Sequence, residues 1–384
     1  MSAADYERNL DENLDNLIDR LKDKRYRAKL VKRRYIPKSN GKMRPLGIPA
    51  VEDKLLQKAV AMILEAIYEQ DFQDSSYGYR PGRNAKGAVK KLRDGLNFDG
   101  YDYVVEADIK GFFDNINHQK LVEMLKARIS DKNLVRLIQK WLRAGILEPE
   151  GMVVNPITGT PQGGVVSSIL ANIYLHYGLD SWVQNTAKPY SREGLLYIRY
   201  ADDFVCAFRS KNEAEVFHRE LPKRLALFDL ELAKEKTRTI LFGWAWGKKS
   251  KSFDFLGFEL SWQKSRKGMP NVKRRTARPK LRASLKKFSE WFKKNRSVKL
   301  NKQIEMLNVK LKSYYNHYGV IGNYKSLSEF LHQLKRLFFK WLNKRSQKKS
   351  MNWSQFTKRV GTLLMTPKIS EQQVLQRDLP GIRC

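Results

Sequence analysis

The stretch YIRYADDFVCAF, residues 197–208, places two adjacent aspartates, Asp202 and Asp203, between two apolar runs of strand length. Runs of that kind fit strands buried in a sheet, so the residues between them read as a hairpin tip carrying carboxylates out of a hydrophobic interior. Adjacent like charges at such a tip are unfavourable unless something positive offsets them. A solvated turn is the bland alternative, and a divalent cation that favours hard oxygen ligands, such as Mg²⁺, is the sharper one. A second apolar run, YDYVVEAD, ends in Asp108 and passes directly into Ile109, Lys110, Gly111, Phe112 and Phe113. If the two strands lie side by side, Asp108, Asp202 and Asp203 can converge on a pair of ions. Such a pair would activate an attacking 3′-hydroxyl and stabilise a leaving pyrophosphate.

Around these runs the chain alternates strands and helices, which makes an α+β or α/β core. LLYIRY, DFVCAF and FDFLGFEL read as strands, while Asp11–Lys24, Asp53–Glu69, Leu121–Leu142 and Glu213–Leu227 carry the helical period. KRRYIPKSNGKMRPLGIP reads as strand, turn and strand, with SNG at the turn. Beyond Trp262 three apolar stripes recur at helical spacing, beginning at Leu281, Ile304 and Leu327, and predict a three-helix bundle. The intervening QKSRKGMPNVKRRTARPK has no apolar period and reads as a linker or a loop lying on phosphates. Charge divides at the same place. Residues 264–384 hold 31 Lys/Arg against 5 Asp/Glu, a net +26 of the whole chain's +34. So basic a molecule calls for a polyanionic partner, and nucleic acid leads.

Several classes are excluded. Two cysteines, Cys206 and Cys384, cannot build a disulfide framework, and Cys206 in its apolar run reads as a buried thiol. The five histidines have no metal-ligand spacing. The N-terminus is acidic and polar where a secretory signal would be basic and then apolar, and the uncharged stretch 151–179 is broken too often by Gly, Pro and Asn to span a membrane. A soluble cytoplasmic protein with no membrane partner is the expectation.

Seven blocks in one order, KMRPLGIP, SYGYRPGRNA, ADIKGFFDNI, GTPQGGVVSSILANIYL, RYADDFV, LELAKEKT and FDFLGFEL, closely resemble the reverse transcriptase and maturase proteins encoded by bacterial group II introns. KWLNKRSQKKSMNW and TPKI extend the resemblance toward the C-terminus. It implies a right-hand polymerase with fingers in residues 1–100, a palm with an antiparallel sheet in 101–262, and a basic α-helical thumb and maturase domain in 263–384. It implies an RNA-directed DNA polymerase using two Mg²⁺ ions, with Mn²⁺ as a substitute, and intron splicing and retrohoming. Asp108, Asp202, Asp203 and Ile109 take the metal-binding positions that the resemblance implies. Lys236 stands near the leaving pyrophosphate. Lys42 and Arg44 match the positions that embrace the triphosphate, for which Arg is suited by its bidentate fork. Phe113 matches the side chain that would clash with a ribose 2′-hydroxyl, with a core phenylalanine as the alternative. Gln162 matches the residue at the nascent base pair, Gly163 permits close backbone approach, Arg80 contacts the template backbone or is an ordinary loop arginine, and Gly257 lies in the turn that supports the primer end. Partners implied are an RNA template, a DNA primer, dNTPs and group II intron RNA.

Two departures accompany the resemblance. Family members usually carry several tens of residues before the stretch that here begins at Tyr6, and the Cys/His content of a DNA endonuclease domain is missing after the maturase region. They keep two other readings in view: a non-catalytic RNA-binding splicing cofactor, and a related reverse transcriptase recruited to defence or DNA repair.

Overall fold

The computed structural model describes residues 3–37, 41, 43–265, 267–345 and 351–369. These form two compact units, one from residues 1–88 and 100–241, the other from 89–99 and 242 onward.

The first unit contains β1 (Val31–Pro37), β2 (Met43–Ile48), β3 (Tyr103–Asp108), β4 (Ile146–Leu147), β5 (Val153–Val154), β6 (Leu195–Tyr200), β7 (Asp203–Phe208) and β8 (Arg238–Leu241). One sheet has the order β2-β1-β4-β5 and is largely open to solvent; the other has the order β6-β7-β3-β8 with every pair antiparallel. In β7 every residue from Phe204 to Phe208 is buried. That explains why its sequence is a continuous apolar run, since a strand covered on both faces has no polar side to show. Helix Ser167–Leu175 is buried around nearly its whole circumference, and it continues through two π-helical turns, His176–Asp180 and Val183–Ala187. A π turn admits one residue more than an α turn, and such turns are frequent at functional sites.

The stretch expected as one helix over Leu121–Leu142 is two, His118–Arg128 and Lys132–Leu142. Asp131 makes the break: its carboxylate accepts from the backbone N–H groups of Asn133 at 2.7 Å and Leu134 at 3.2 Å, which caps a new helix start.

In the second unit β9 (Phe253–Phe255), β10 (Phe258–Lys264) and β11 (Pro270–Thr276) form an antiparallel sheet of order β11-β10-β9. The segment expected as linker or loop is therefore the β10–β11 hairpin. Its strand character escaped the sequence because β11 alternates Val272, Arg274 and Thr276 inward with Asn271, Lys273 and Arg275 outward, leaving a single apolar position to signal the period. The boundary expected near Trp262 lies inside β10, and the units divide at Leu241 and Phe242. The end of helix Ala85–Phe98 belongs here: Asn97 Oδ1 accepts from Val272 N at 2.9 Å and Arg93 Nη2 donates to Asn271 Oδ1 at 2.9 Å. The expected bundle is present as helices Arg278–Lys294, Leu300–Tyr318 and Tyr324–Asn343. Its aromatic stripes are core, with Phe292 stacked on Phe338 at 4.8 Å and Tyr314 on Phe330 at 3.9 Å. Among the described residues no helix is long and apolar enough to cross a membrane.

Candidate active site

Asp108 is the last residue of β3 and stands directly opposite Asp203, the first residue of β7. β6 and β7 are joined by a two-residue turn, because Tyr200 pairs with Asp203 and leaves Ala201 and Asp202 at the tip. Ala201 takes a left-handed conformation at φ +56. The sheet thus brings all three expected carboxylates to one end, and they act on one another. Burial, then Asp108, Asp202 and Glu106, push the Asp203 carboxyl up to about 7. Burial first, and Asp108 among the charges, also raises Asp202. Negative charge is under-compensated here, which is the electrostatic condition for a cation site.

Lys236 forms an ion pair with Asp108, and that hydrogen bond raises the lysine's own pKa. The backbone holds it there: Ala233 N donates to Asp108 O at 2.9 Å, and Lys236 N to Ala233 O at 2.9 Å. Ile109 is buried and bridges to Leu232 on the same segment. Among the described residues no three His, Cys, Asp or Glu side chains are drawn together closely enough to enclose a metal. The donor set nonetheless fits a hard divalent cation, since it offers carboxylate oxygens whose mutual repulsion a cation would relieve.

Arg44 is exposed on β2 and lies within electrostatic reach of Asp202, whose carboxylate it favours. Lys42 falls outside the described residues. Of the two neighbouring phenylalanines, Phe112 is 2% exposed and belongs to the core, while Phe113 is only half-buried, with its ring edge-on to Phe112 at 5.4 Å. Thr160 N donates to Phe113 O at 2.8 Å, tying the TPQGG block to that corner. Gln162 is half-buried, and its carbonyl accepts from Gly47 N at 2.8 Å. Gly163, at φ +115, passes so close to β2 that a Cβ would sit 2.8 Å from Gly47 O. Its close approach is therefore to the protein's own backbone.

Arg80 is a correction. Its side chain is 2% exposed and paired with Glu69 at 2.6 Å, and Nη1 donates to the carbonyls of Gln73 and Ser76 at 2.6 and 2.9 Å. The guanidinium closes its own loop, the ordinary role weighed for it, and has no face to offer a template phosphate. Gly257 lies in the second unit, in the turn between β9 and β10.

Sequence reasoning passed over the residues beneath the carboxylate turn: Arg199, Asp180, Asn172, Ser76 and Gly78, together with Tyr79, which is held at φ +57 within electrostatic reach of Asp202 and Arg44. A signal was present. Arg199 interrupts an apolar strand, and Asp180 is the first charge after the uncharged stretch. A charge at a buried position needs a partner.

A polymerase-type α+β fold with a carboxylate-tipped antiparallel sheet defines the class. Residues 36–260 match the family described as reverse transcriptase (RNA-dependent DNA polymerase), and the chain belongs to that family. The particular relatives are narrower. The group II intron-encoded protein LtrA of Lactococcus lactis subsp. cremoris is 32% identical over 83% of this chain and 65% of its own length, so this chain spans just under two thirds of that relative. Protein YkfC of Escherichia coli (strain K12) is 34% identical over 67% of this chain and 74% of its own. Among solved structures, telomerase from Candida albicans in complex with a fragment of telomeric RNA superposes with a TM-score of 0.51 at 15% identity, covering 85% of this chain and 60% of that one. At that identity the likeness is one of fold.

Proposed function

We propose that this chain is an RNA-directed DNA polymerase whose centre is the β3, β6 and β7 end of the buried sheet. The observation that carries the reading is the register of Asp108 against Asp203, with Asp202 in the adjoining turn, inside a segment matching the reverse transcriptase family. Fingers in 1–100, palm in 101–262 and thumb in 263–384 are part of the proposal.

Asp108, Asp202 and Asp203 would hold two Mg²⁺ ions, with Mn²⁺ as a substitute. Such ions supply Lewis acidity, making the primer 3′-hydroxyl a better nucleophile and offsetting charge on the leaving pyrophosphate. The chain's own groups do the rest. Lys236, kept protonated by its ion pair with Asp108, would give up that carboxylate where a cation is held and present its ammonium to departing phosphate oxygens. Arg44 reaches the triphosphate, Gln162 stands at the nascent pair, and half-open Phe113 excludes a 2′-hydroxyl by volume. Primer extension on an RNA template tests this. The native chain should incorporate dNTPs well ahead of rNTPs, and Asp203→Asn should cut synthesis about a thousandfold, the scale of lost transition-state electrostatics. Retained synthesis in Asp203→Asn would refute the assignment.

A maturase role is proposed alongside, supported by the intron-encoded relatives and by the +26 carried from residue 264 onward. Affinity for group II intron RNA should fall steeply with salt, as phosphate-dominated binding does. It should drop further when basic residues over 344–349, of which 346–349 lie outside the described residues, are neutralised.

A further inference from the structure

Under the carboxylate turn lies a buried charge pair. Arg199 and Asp180 are each 0% exposed. All five N–H donors of the guanidinium have acceptors, and these come from three segments: the Ser76 loop, the helix that carries Asn172 and Asp180, and the Ala201 turn itself. Nε donates to Asp180 Oδ1 at 2.7 Å, Nη2 to Asp180 Oδ2 and to Ser76 Oγ at 2.8 Å, and Nη1 to Asn172 Oδ1 at 3.0 Å and to the carbonyl of Ala201 at 3.1 Å. Asp180 also accepts from the Tyr197 hydroxyl at 2.7 Å. Ala201 is the tip residue beside Asp202. Its other side is held as well, because Asn172 Nδ2 donates to Gly78 O at 2.7 Å and Gly78 presses on the turn so closely that a Cβ would lie 2.3 Å from Ala201 N.

A buried ion pair is a poor way to gain stability, since an apolar pair of similar volume often does as well or better. What it supplies is direction: a planar fork with every donor engaged admits one orientation. Asp180 is the last residue of the π turn His176–Asp180 and meets Arg199 from there. We infer that Arg199, braced by Asp180 and Asn172 and opposed by Gly78, is a positioning residue that sets the Ala201–Asp202 turn, and with it the Asp202 and Asp203 carboxylates, for divalent cation binding. The inference rests on the polymerase reading only for what the cations then do.

The test uses the full chain and two readouts. Mn²⁺ affinity is measured by electron paramagnetic resonance titration, and primer extension gives kcat, the Mg²⁺ midpoint and the template–primer Kd. Gly78→Ala should weaken the Asp203-dependent Mn²⁺ site about 10- to 100-fold, as loss of outer support does at metal sites. It should lower kcat about 100-fold by misplacement and raise the Mg²⁺ midpoint, with template–primer Kd within about twofold. Ser76→Ala, which removes a single oxygen and keeps the fold, should shift the same quantities in the same direction by a smaller factor. A folded Gly78→Ala or Ser76→Ala with native Mn²⁺ affinity and native Mg²⁺ midpoint overturns the inference, as does a native chain with no Mn²⁺ site that Asp203→Asn abolishes. A native chain that binds Mn²⁺ through Asp203, loses that affinity in Gly78→Ala and extends no primer upholds the positioning role and sinks the polymerase reading.

Discussion

Two hairpins in this molecule turn on two residues and put a non-glycine residue in the left-handed region, and they solve the strain differently. Between β6 and β7, Ala201 sits at φ +56 and is followed by Asp202. Between β9 and β10, Leu256 at φ +51 is followed by Gly257 at φ +84, the pair of positive angles that suits the twist of a hairpin. The second turn is settled locally: glycine takes the strained angle freely, and its carbonyl accepts from Ala277 N at 3.0 Å. The first has no glycine of its own and is fixed from beneath by buried charge. Where only a reversal of direction is needed, the cheapest residue suffices. Where the turn carries ionisable groups that must point one way, the chain commits core volume to holding it.

Asp180→Ala should produce the largest change in stability, because it strands the buried Arg199 guanidinium. Thermal or urea unfolding should register a loss of about 3–5 kcal/mol, and a loss below about 1 would erase the distinction between the two turns. Gly257→Ala comes next. It meets both its φ of +84 and a Cβ 3.0 Å from the Tyr318 hydroxyl, and should cost about 1–2 kcal/mol in the same assay without altering divalent cation binding. A third effect is in pH dependence. Folded Asp203 keeps its proton up to about pH 7, whereas the unfolded side chain releases it near 3.8. Between those values the native state holds more protons, so the metal-free chain should lose stability as pH rises from about 4 to about 7. Asp203→Asn should flatten that slope as followed by melting temperature, and Gly257→Ala should leave it unchanged. Saturating divalent cation should also flatten it, since the ion takes up the charge the proton had cancelled.

Much of this was legible in the chain itself. The apolar runs around Asp108 and Asp202–Asp203 specify strands because burial on both faces leaves no other composition, and the three aromatic stripes specify helices by their period. Phe112 and Phe113 were not separable in sequence, since adjacent residues of one type leave no signal of which faces the core. Arg80 and the β10–β11 hairpin misled for related reasons. An arginine in a basic chain looks like a phosphate ligand whether or not Glu69 lies behind it, and a strand whose inward positions include Arg274 and Thr276 shows almost no apolar alternation. The Arg199 clamp needs three segments to meet, Ser75–Gly78, the helix carrying both Asn172 and Asp180, and β6 with its turn, and only the folded chain brings them together.

The π turn at His176–Asp180 also limits how this segment can vary in length. Removing one residue there would return the helix to ordinary winding with the downstream segment still in phase, but it would re-aim the residues inside the turn and carry Asp180 off the guanidinium. Surface loops elsewhere can gain or lose a residue at little cost. In this buried helix a single-codon deletion within the turn should be more damaging than most substitutions along it, because it would displace a whole buried turn and its Asp180 carboxylate instead of trimming one side chain.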